Sequence, residues 1–468
     1  MRETQINITP FNYVALYQLT INRNINEHAK ADITISIKND LEEQYMEMLS
    51  NETWVKITGT SGIDGDESAV HTVLFYGMVT NFQFDHDGYE TILKLVLTSG
   101  TVLMDLKPHF RVFQNEASSC VEIHQELAGT YPDGQVICME GSSDKMHKVF
   151  IQYRETDWEF LKRLASETGR YLIPDALKKG AKYTIGMPSG MRRNVQTDKL
   201  QMKLDMNEYM EKSQNGMSTL QAADMTELIL TDREIYQIGD SISYQGKDYY
   251  ICQILSEYDK GECVHTYYCR TKAGSMPLPI PHELLAGSSF DAVVTKVQRD
   301  KVQVDIKQDE WNAADGKKWF LYATVYSSPD GTGWYCMPEI GDSVRLYVPD
   351  KESCCFIMSA VHKETDGSRQ NPDHKSFKTK YGKEILFTPS SILMTNNKGM
   401  MVKMEDKEGI TISSDRNIVI QAAGNLTVSS SSDSLLIAAE DKVQVKQGST
   451  TMTLSNDISF TGGEFRIQ

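Results

Sequence analysis

The C-terminal part of the sequence contains pairs of apolar residues that recur every eight or nine residues. Each pair has the i, i+2 spacing that places two side chains on one face of a short β-strand. The pairs are Val402 and Met404, Ile410 and Ile412, Ile418 and Ile420, Leu426 and Val428, Leu435 and Ile437, Val443 and Val445, and Met452 and Leu454. A unit of this length cannot turn back over itself, because a single-chain solenoid needs roughly 20 or more residues per coil. The strands therefore need partners that one chain does not supply.

Several identical chains can share each turn of such a structure. If three chains wind together, every apolar pair points to the common axis, and free sheet edges remain only at the ends. A low-complexity tail and strands added to a sandwich are the alternatives, but neither requires a constant spacing. The pattern favours an intertwined trimeric β-helix over residues 378–468.

Length, charge and cysteine usage limit what the rest of the chain can be. With 468 residues the chain is long enough for three or four domains. Its net charge of −16 argues against a nucleic-acid partner. The N-terminus lacks the pattern of a signal peptide, so we expect synthesis in a cytoplasm. The eight scattered cysteines indicate reduced thiols and no disulfide framework.

Alternating apolar residues predict a mainly β, multidomain protein. The predicted parts are a small β-barrel at 1–100, a helix-containing α+β region at 101–215, a second β-barrel at 216–275, a Pro-rich linker at 276–289, a third all-β unit at 290–362, a linker at 363–377 and the repeat region at 378–468. Tight turns are predicted at 86–88 and at Arg299-Asp300, each between two strand patterns.

Helical patterns interrupt the strands at 39–49, 118–129 and 154–169. The third pattern is the clearest. Thr156 and Glu159 have the spacing of a capping box, and Gly169 suits the position that follows a helix. The apolar residues of this helix that fall on one face are Trp158, Leu161, Leu164 and Ala165.

Six segments carry a family resemblance. They are LFYGMVTNF at 74–82, RVFQNEASSCVEIHQEL at 111–127, FIQYRETDWEFLKRLASETG at 150–169, MPEIGDSVRLYV at 337–348, KSFKTKYGKEILF at 375–387 and EGITISSDRNIVIQAAGNLTV at 408–428. In their order and content they resemble the VgrG-type hub and spike proteins of contractile injection systems, which include type VI secretion spikes and phage or bacteriocin tail spikes. The segment 150–169 is the most specific, and the resemblance spans nearly the whole chain.

The resemblance implies a fold and a set of partners. Two related β-barrels with helical insertions form, in a homotrimer, a pseudo-sixfold ring on the tail tube. An OB-fold-like barrel at 290–362 follows as an adaptor, and the trimeric β-helix is the needle. Tail tube and baseplate proteins, a PAAR-like tip protein, effectors and the target envelope are the implied partners. The hub helix motif comprises Tyr153, Arg154, Thr156, Trp158, Glu159, Phe160, Leu161 and Leu164.

Three family features are expected to be absent. The connector at 362–376 is too short for the lysozyme domain of some relatives, and the sequence ends at FTGGEFRIQ without an effector domain. The last histidine is His374, so the His-x-His pair that binds iron at some needle tips is missing. A separate PAAR-like cap is therefore the expected tip, and we expect no metal or cofactor.

Two cysteine groups invite a metal-site interpretation. Cys263, His265 and Cys269 could bind zinc, but they lack a Cys-x-x-Cys pair, and a buried strand face explains them equally well. Cys354 and Cys355 are predicted to point to opposite faces of a strand. Both groups are predicted to be structural.

Two carboxylate pairs and one group of aromatic residues invite a catalytic or nucleic-acid interpretation. Asp157/Glu159 and Asp309/Glu310 could be acid/base pairs, but neither accompanies a nucleophile or metal motif, so solvated or capping carboxylates are predicted. The aromatic residues Trp319, Phe320, Tyr322 and Tyr326 could stack on bases, but they lack enough basic neighbours. Core and trimer-interface roles are predicted for them.

The sequence therefore predicts a structural hub and envelope-piercing spike that is not an enzyme. The particle is expected to assemble in a bacterial cytoplasm and to act outside the cell or in a target envelope. A tail-associated enzyme that degrades cell wall or polysaccharide on a β-helical platform is the alternative, and a secreted adhesin with a β-rod stalk is a third hypothesis. The type of contractile machine stays open.

Overall fold

The computed structural model describes residues 4–61, 70–86, 88–139, 141, 143–195, 199–259, 261–358 and 371–461. The chain divides into two compact units, Met1–His362 and Lys363–Gln468. Both units consist mainly of β-strands, which confirms the predicted fold class. Within the described ranges no helix is long and apolar enough to cross a membrane.

The first part of the larger unit is a six-stranded sheet region with one helix. Its elements are β1 (Thr4–Thr9), β2 (Ala15–Asn24), β3 (Lys30–Ile37), α1 (Glu42–Leu49), β4 (Trp54–Ser61), β5 (Val70–His86) and β6 (Thr91–Thr98). The strands lie in the order β1-β4-β5-β6-β3-β2. Alternation in β3 and β6 buries one face of each strand, as the sequence predicted. The hairpin between β5 and β6 is also confirmed, although Asp87 lies outside the described residues.

A smaller α+β region follows in the chain. Its elements are β7 (His109–Phe113), α2 (Cys120–Ala128), β8 (Gln135–Cys138), β9 (Phe150–Glu155), α3 (Asp157–Ser166), β10 (Leu172–Pro174) and β11 (Lys182–Ile185). β7 and β9 form a two-stranded sheet, and β10-β11-β8 form another. Both predicted helices are present, and each begins with a capping box.

The remaining strands of residues 1–275, which we call the hub after the resemblance described above, join the first sheet. These elements are β12 (Arg192–Arg193), β13 (Leu200–Leu204), α4 (Met206–Gln214), β14 (Thr226–Asp232), β15 (Ser241–Tyr244), β16 (Lys247–Asp259), β17 (Glu262–Arg270) and α5 (Lys272–Ser275). β16 pairs with β2, which makes one continuous twelve-stranded sheet. The sequence prediction missed α4, because its apolar residues Met206 and Met210 are exposed and form no buried stripe.

The Pro-rich segment that was predicted to be a linker packs against the hub. The Ile280 backbone N–H donates to Ser166 Oγ at 2.9 Å, and His282 Nε2 lies 2.9 Å from the Tyr153 carbonyl oxygen. Leu285 is buried in the core of the following barrel. These contacts hold the segment in place along its length.

The third part of the larger unit is a five-stranded sheet, which a bridge between Tyr322 and Ile357 closes into a small barrel. Its strands are β18 (Ser289–Gln298), β19 (Lys301–Ile306), β20 (Phe320–Leu321), β21 (Ser343–Tyr347) and β22 (Phe356–Met358), in the order β20-β19-β18-β21-β22. The two-residue turn at Arg299-Asp300 is confirmed, with Arg299 at a φ of 52°. The strand predicted to include Cys354 and Cys355 begins only at Phe356, so this prediction is wrong for both cysteines. Glu352–Cys354 form a 3-10 helix instead.

The smaller unit contains two antiparallel sheets. Their strands are β23 (Lys375–Lys378), β24 (Glu384–Thr388), β25 (Ser391–Thr395), β26 (Met401–Glu405), β27 (Gly409–Ser413), β28 (Val443–Gln447), β29 (Thr450–Leu454) and β30 (Ile458–Thr461). The sheets are β23-β24-β25-β26-β27 and β28-β29-β30. Four of the seven predicted apolar pairs therefore lie in strands, as the spacing predicted.

Residues 414–442 carry no strand. The prediction of a strand at each apolar pair is therefore wrong for the three pairs in this stretch, which are Ile418 and Ile420, Leu426 and Val428, and Leu435 and Ile437. A strand needs a hydrogen-bonded neighbour, and the single chain provides none there. For the same reason nothing covers their side chains: Val428 is 63% exposed and Ile437 is 68% exposed.

Candidate assembly site

Two rows of apolar side chains cross the five-stranded sheet β23–β27 of the smaller unit. The first row contains Phe377, Ile385, Met394, Val402 and Ile412, and the second contains Phe387, Ile392, Met404 and Ile410. Both rows lie on the same sheet face, because the members on each strand are two residues apart. We call these nine residues the apolar sheet face.

The apolar sheet face is open to solvent in the single chain. Eight of its nine side chains are exposed, with exposed fractions from 36% at Ile385 to 70% at Ile410. The ninth, Val402, is half-buried. Monomeric soluble proteins rarely leave a contiguous apolar area of this kind uncovered, and such areas mark interaction sites. This face is therefore the leading candidate for a surface that another chain covers.

Sequence reasoning found only part of the apolar sheet face. The pairs Ile385/Phe387 and Ile392/Met394 were missed, although they have the same i, i+2 spacing as the predicted pairs. They stand seven residues apart, and ten residues separate the second of them from Val402/Met404. A search for a fixed step of eight or nine residues could not detect them, whereas the i, i+2 signal alone could.

The remaining predicted pairs continue the pattern C-terminal to the sheet. The six residues of the stretch without strands, from Ile418 to Ile437, have exposed fractions from 53% to 70%. Val443 and Val445 lie opposite Leu454 and Met452 in the β28–β29 pairing, so these four residues share one face of the three-stranded sheet. The axial role of these pairs stays a prediction.

The hub helix motif is mostly buried. Trp158, Phe160, Leu161 and Leu164 project from α3 into one core, which α2 and β11 also line. At the start of the helix, the Thr156 backbone N–H donates to Glu159 Oε2 at 2.9 Å, and the Glu159 N–H donates to Thr156 Oγ1 at 3.2 Å. Tyr153 is half-buried, and Arg154 is exposed. The motif thus places one amphipathic helix firmly in the hub.

Arg163 on the same helix was missed by sequence reasoning. Its side chain is almost fully buried and donates to Glu155 Oε1 at 2.8 Å, to Glu352 Oε1 at 3.0 Å and to the Ile151 carbonyl oxygen at 2.9 Å. Burial by itself would lower the pKa of Arg163, but the carboxylates of Glu155 and Glu352 raise it above its usual value. A charged arginine therefore connects α3 to the barrel of β18–β22.

The prediction that Asp157 is solvated or capping is wrong. Its carboxylate is buried and forms an ion pair with Arg111. It also accepts hydrogen bonds from Gln152 Nε2 at 2.8 Å and from the Tyr131 hydroxyl at 2.7 Å. Burial, followed by the hydrogen bond to Asp157, raises the pKa of Tyr131. Asp157 is thus a structural charge at the base of α3.

The prediction of a solvated loop pair is wrong for Asp309, which is half-buried, whereas Glu310 is exposed as predicted. Asp309 Oδ1 accepts the Val112 backbone N–H at 2.9 Å, and Glu310 Oε2 lies 2.6 Å from His109 Nδ1. Both partners belong to β7, so the barrel loop after β19 holds the edge of this hub strand. Of the four carboxylates considered as acid/base candidates, Asp157, Asp309 and Glu310 therefore have partners outside their own turn or helix. Glu159 bonds within its own helical turn.

The β7–β9 sheet lies between two cores. Phe113 and Phe150 pack with α2 and α3, whereas Val112, Val149 and Ile151 pack with the barrel residues of β18–β22. Because neighbouring residues of a strand point to opposite faces, one pair of strands serves both cores. The hub and the barrel therefore share structural elements as well as the ion pairs described above.

The other predicted side chains have structural surroundings. Cys263, His265 and Cys269 alternate on the buried face of β17, and His265 Nδ1 lies 2.7 Å from Ser256 Oγ. Burial lowers the pKa of His265 to about 4, so its imidazole is neutral. The described part of the chain holds no group of three residues suited to a metal ion. Of the aromatic residues, Phe320 is buried in the barrel core and Tyr326 is exposed.

Comparison with known proteins adds independent information. Residues 33–194 match the family model of the phage tail baseplate hub (GPD). No curated protein sequence gives a significant match.

The solved structures with similar folds include the following two. The E. coli c3393 protein, described as a type VI secretion component with similarity to the T4 tail proteins gp27 and gp5, is 14% identical, with a TM-score of 0.52 over 75% of this chain and 99% of that one. A chain of the half-lidded Francisella PdpA–VgrG complex is 11% identical, with a TM-score of 0.57 over 88% of both chains. The resemblance to VgrG-type hub and spike proteins is thereby confirmed: residues 33–194 match the model of the phage tail baseplate hub, and the chain has the fold of these solved tail proteins.

Proposed function

We propose that this protein is the structural hub and envelope-piercing spike at the tip of a contractile injection system. The observation that carries the proposal is the exposed apolar sheet face, which follows a baseplate hub domain in the same chain. A hub domain supplies a seat on a tail tube, and an uncovered apolar face supplies the means to form a rod with other copies. The protein is not proposed to catalyse a reaction.

In the proposed mechanism three copies bury their apolar sheet faces and their predicted axial pairs against one another. Burial of a large aliphatic side chain contributes roughly 1.5 to 3 kcal/mol, and each copy offers a long series of them. Residues 414–442 would gain strand partners from the neighbouring copies, which satisfies backbone groups that have no strand partner in the single chain. The rod is then stiff, and the contracting sheath supplies the work.

The contacts between hub and barrel support a force-bearing role. Arg163, Asp157 and Asp309 each link elements that are far apart in sequence, and the β7–β9 sheet belongs to two cores. A spike must transmit thrust without bending at its base, and interlocked cores meet that requirement. The carboxylates of Asp157 and Asp309 therefore stabilise the fold. They give no support to the enzyme alternative.

We propose a tail tube protein and baseplate proteins as the partners of the hub, and a PAAR-like protein or effectors as cargo of the tip. The chain of the solved complex named above is part of a PdpA–VgrG complex, which is a precedent for a second protein bound to this fold. Assembly would precede delivery to the extracellular space or a target envelope. Co-sedimentation with purified tail tubes from the same source tests the seat on the tube directly.

The decisive experiment measures the molar mass of the full chain by light scattering, with two matched variants. Ile420 is 70% exposed and belongs to a predicted axial pair, whereas its neighbour Val419 is 82% exposed and points the other way along an extended chain. We expect a trimer for the natural sequence and for Val419→Asp, and loss of rod assembly for Ile420→Asp, which would place three carboxylates near one axis level. A stable, folded monomer of the natural sequence would refute the proposal.

A further inference from the structure

A cavity of about 340 Å³ lies between helix α2 of the hub and the barrel loop that follows β19. Its walls come from the end of β7, from α2 and from this loop. Ligand sites measure roughly 300 to 1,000 Å³, so this cavity has the size of a site for one side chain or one small molecule. It belongs to the larger unit and is separate from the apolar sheet face.

The base of the cavity is apolar and firmly held. Phe113 and Ile123 are buried, and Trp311 is half-buried. The Trp311 ring packs on Phe113 with centroids 4.8 Å apart, and its backbone N–H donates to Asp309 Oδ1 at 2.9 Å. The same carboxylate oxygen accepts the Val112 N–H, so the loop and β7 together fix the position of the indole. An aromatic ring in the wall of a cavity can bind a cation over its face.

One polar side chain in the wall lacks a hydrogen-bond partner. Gln114 is 7% exposed and lines the cavity. Its Nε2 donates to the Val304 carbonyl oxygen at 3.3 Å, which sets the orientation of the amide and leaves Oε1 as an acceptor. Among the residues that the structure describes, no group donates to this buried oxygen. Buried acceptors are nearly always paired, so the oxygen indicates a place for the N–H group of a ligand.

The rim of the cavity is negatively charged. Glu122, Glu126 and Asp315 line it and are exposed, and no cation is among the described residues of its wall. One oxygen of Glu122 caps the start of α2, and Glu126 follows one helical turn later on the same side of the helix. Lys318 of the loop pairs with Glu116 at 2.6 Å, so this lysine is already engaged outside the rim.

We propose that this cavity binds an arginine side chain of a partner protein. A guanidinium group is planar and presents several N–H donors in a fork. It can stack on the Trp311 indole, donate to Gln114 Oε1 and keep further donors for the carboxylates of Glu126 and Asp315. The site thus offers an aromatic face, a buried acceptor and negative charge to one group that needs all three.

Other cations match these features less well. A lysine ammonium is a compact, strongly hydrated point charge, and it cannot stack on an indole as a planar group can. A free cation would meet carboxylates that are exposed to water, where single ion pairs contribute little. A partner protein adds contacts around the opening of the cavity, which is why we assign the arginine to a protein.

Titration of the full chain with short blocked peptides tests the proposal. The probes are acetyl-Gly-Arg-Gly-amide, the same peptide with citrulline in place of arginine, and methylguanidine. Citrulline keeps the shape of arginine but carries no charge. Saturation-transfer NMR measures the dissociation constant of each probe.

We expect the arginine peptide to bind about tenfold more tightly than the citrulline peptide, because hydrogen bonds between charged groups are the stronger ones. Glu126→Gln combined with Asp315→Asn should abolish this difference, and Gln114→Met should weaken arginine binding about threefold. The matched control, Asp40→Asn with Glu43→Gln, removes two exposed charges near the start of α1 and should bind like the natural chain. Thermal unfolding checks that each variant is folded.

Three results would overturn the site: no binding of the arginine peptide, equal binding of the two peptides, or equal weakening by the cavity variant and the control. The comparison of the two peptides needs no variant, so it decides even if a replacement unfolds the chain. Methylguanidine that binds as tightly as the arginine peptide would overturn the assignment to a partner protein. All of these results leave the proposed trimer standing, because the cavity shares no residue with the apolar sheet face.

Discussion

Arg163 on helix α3 of the hub and Glu352 in the turn before β22 form a buried ion pair, with Nη1 3.0 Å from Oε1. Glu352 Oε1 also accepts the Ile151 backbone N–H at 2.8 Å. One carboxylate oxygen thus serves a helix and a strand of the hub from within the barrel. Two parts of the larger unit depend on this single contact point.

Removal of the arginine should destabilise the larger unit strongly. Arg163→Met leaves Glu155 and Glu352 close together without their shared cation, and breaking a buried pair typically costs about 3 to 5 kcal/mol. We expect the free energy of unfolding, measured with urea and tryptophan fluorescence, to fall by that order. Lys162→Met changes the neighbouring, half-buried cation and is the control. Equal losses for the two variants would contradict the role of Arg163.

Asp157 and Glu159 lie in the same helical turn but should respond differently to loss of charge. Asp157→Asn leaves Arg111 buried without its anion, so we expect a loss of about 3 kcal/mol. Glu159→Gln keeps the capping box, because Gln can accept the same hydrogen bond, and should change stability by less than about 1 kcal/mol. Thermal unfolding of both variants measures the difference. The reverse order would mean that Asp157 is not the main partner of Arg111.

The missed pair Ile392/Met394 should matter for assembly as much as the pairs predicted from the sequence. Ile392→Asp places a charge in the apolar sheet face, and we expect the multimer to dissociate at protein concentrations at which the natural chain stays assembled. Lys403→Asp, on the opposite face of the next strand, is the matched control. Sedimentation velocity over a dilution series measures both. If Ile392→Asp assembled normally, the covered face would not extend to β25.

Buried histidine should make the protein sensitive to acid. Burial lowers the pKa of His265 to about 4; the nearby Asp232 carboxylate opposes this shift slightly, and the Arg23 guanidinium adds to it. In the unfolded chain the pKa is about 6.5, so between these values the unfolded state binds more protons and stability falls as pH falls. The slope for one such site reaches about 1.4 kcal/mol per pH unit.

His265→Gln should remove this part of the slope. Urea unfolding at pH 7, 6, 5 and 4 measures it, and His374→Gln at an exposed position is the control. The variant at position 265 should lose less stability than the natural chain over this range. Parallel curves for all three proteins would show that His265 does not titrate on unfolding.

Features that depend on neighbours in sequence could be predicted. The capping box of α3 needs only Thr156 and Glu159 three positions apart, and the Arg299-Asp300 turn needs only two flanking strand patterns. Contacts between distant residues could not be predicted in this way. Arg163 and Glu352 are 189 positions apart, and nothing in a single sequence links them.

The assembly site was predicted in part for a similar reason. The pairs from Val402 to Leu454 repeat at a nearly constant step, so their pattern stands out. Ile385/Phe387 and Ile392/Met394 break that step, and only the cross-strand register of β24–β26 shows that they share the face.

The predicted strands that the structure lacks have a physical explanation of the same kind. Val428 and Ile437 have the correct i, i+2 partners in the sequence, but both are exposed and lie outside any strand. Local spacing describes which face a side chain would take, whereas strand formation depends on a neighbouring backbone that is not part of this stretch.

The β7–β9 sheet has a mechanical consequence. One face of this sheet completes the hub core and the other completes the barrel core, so the barrel cannot leave the hub without exposing Val112, Val149 and Ile151 to water. A pull on the barrel should therefore be resisted by a buried apolar contact, and the hub and the barrel should move as one rigid body under load.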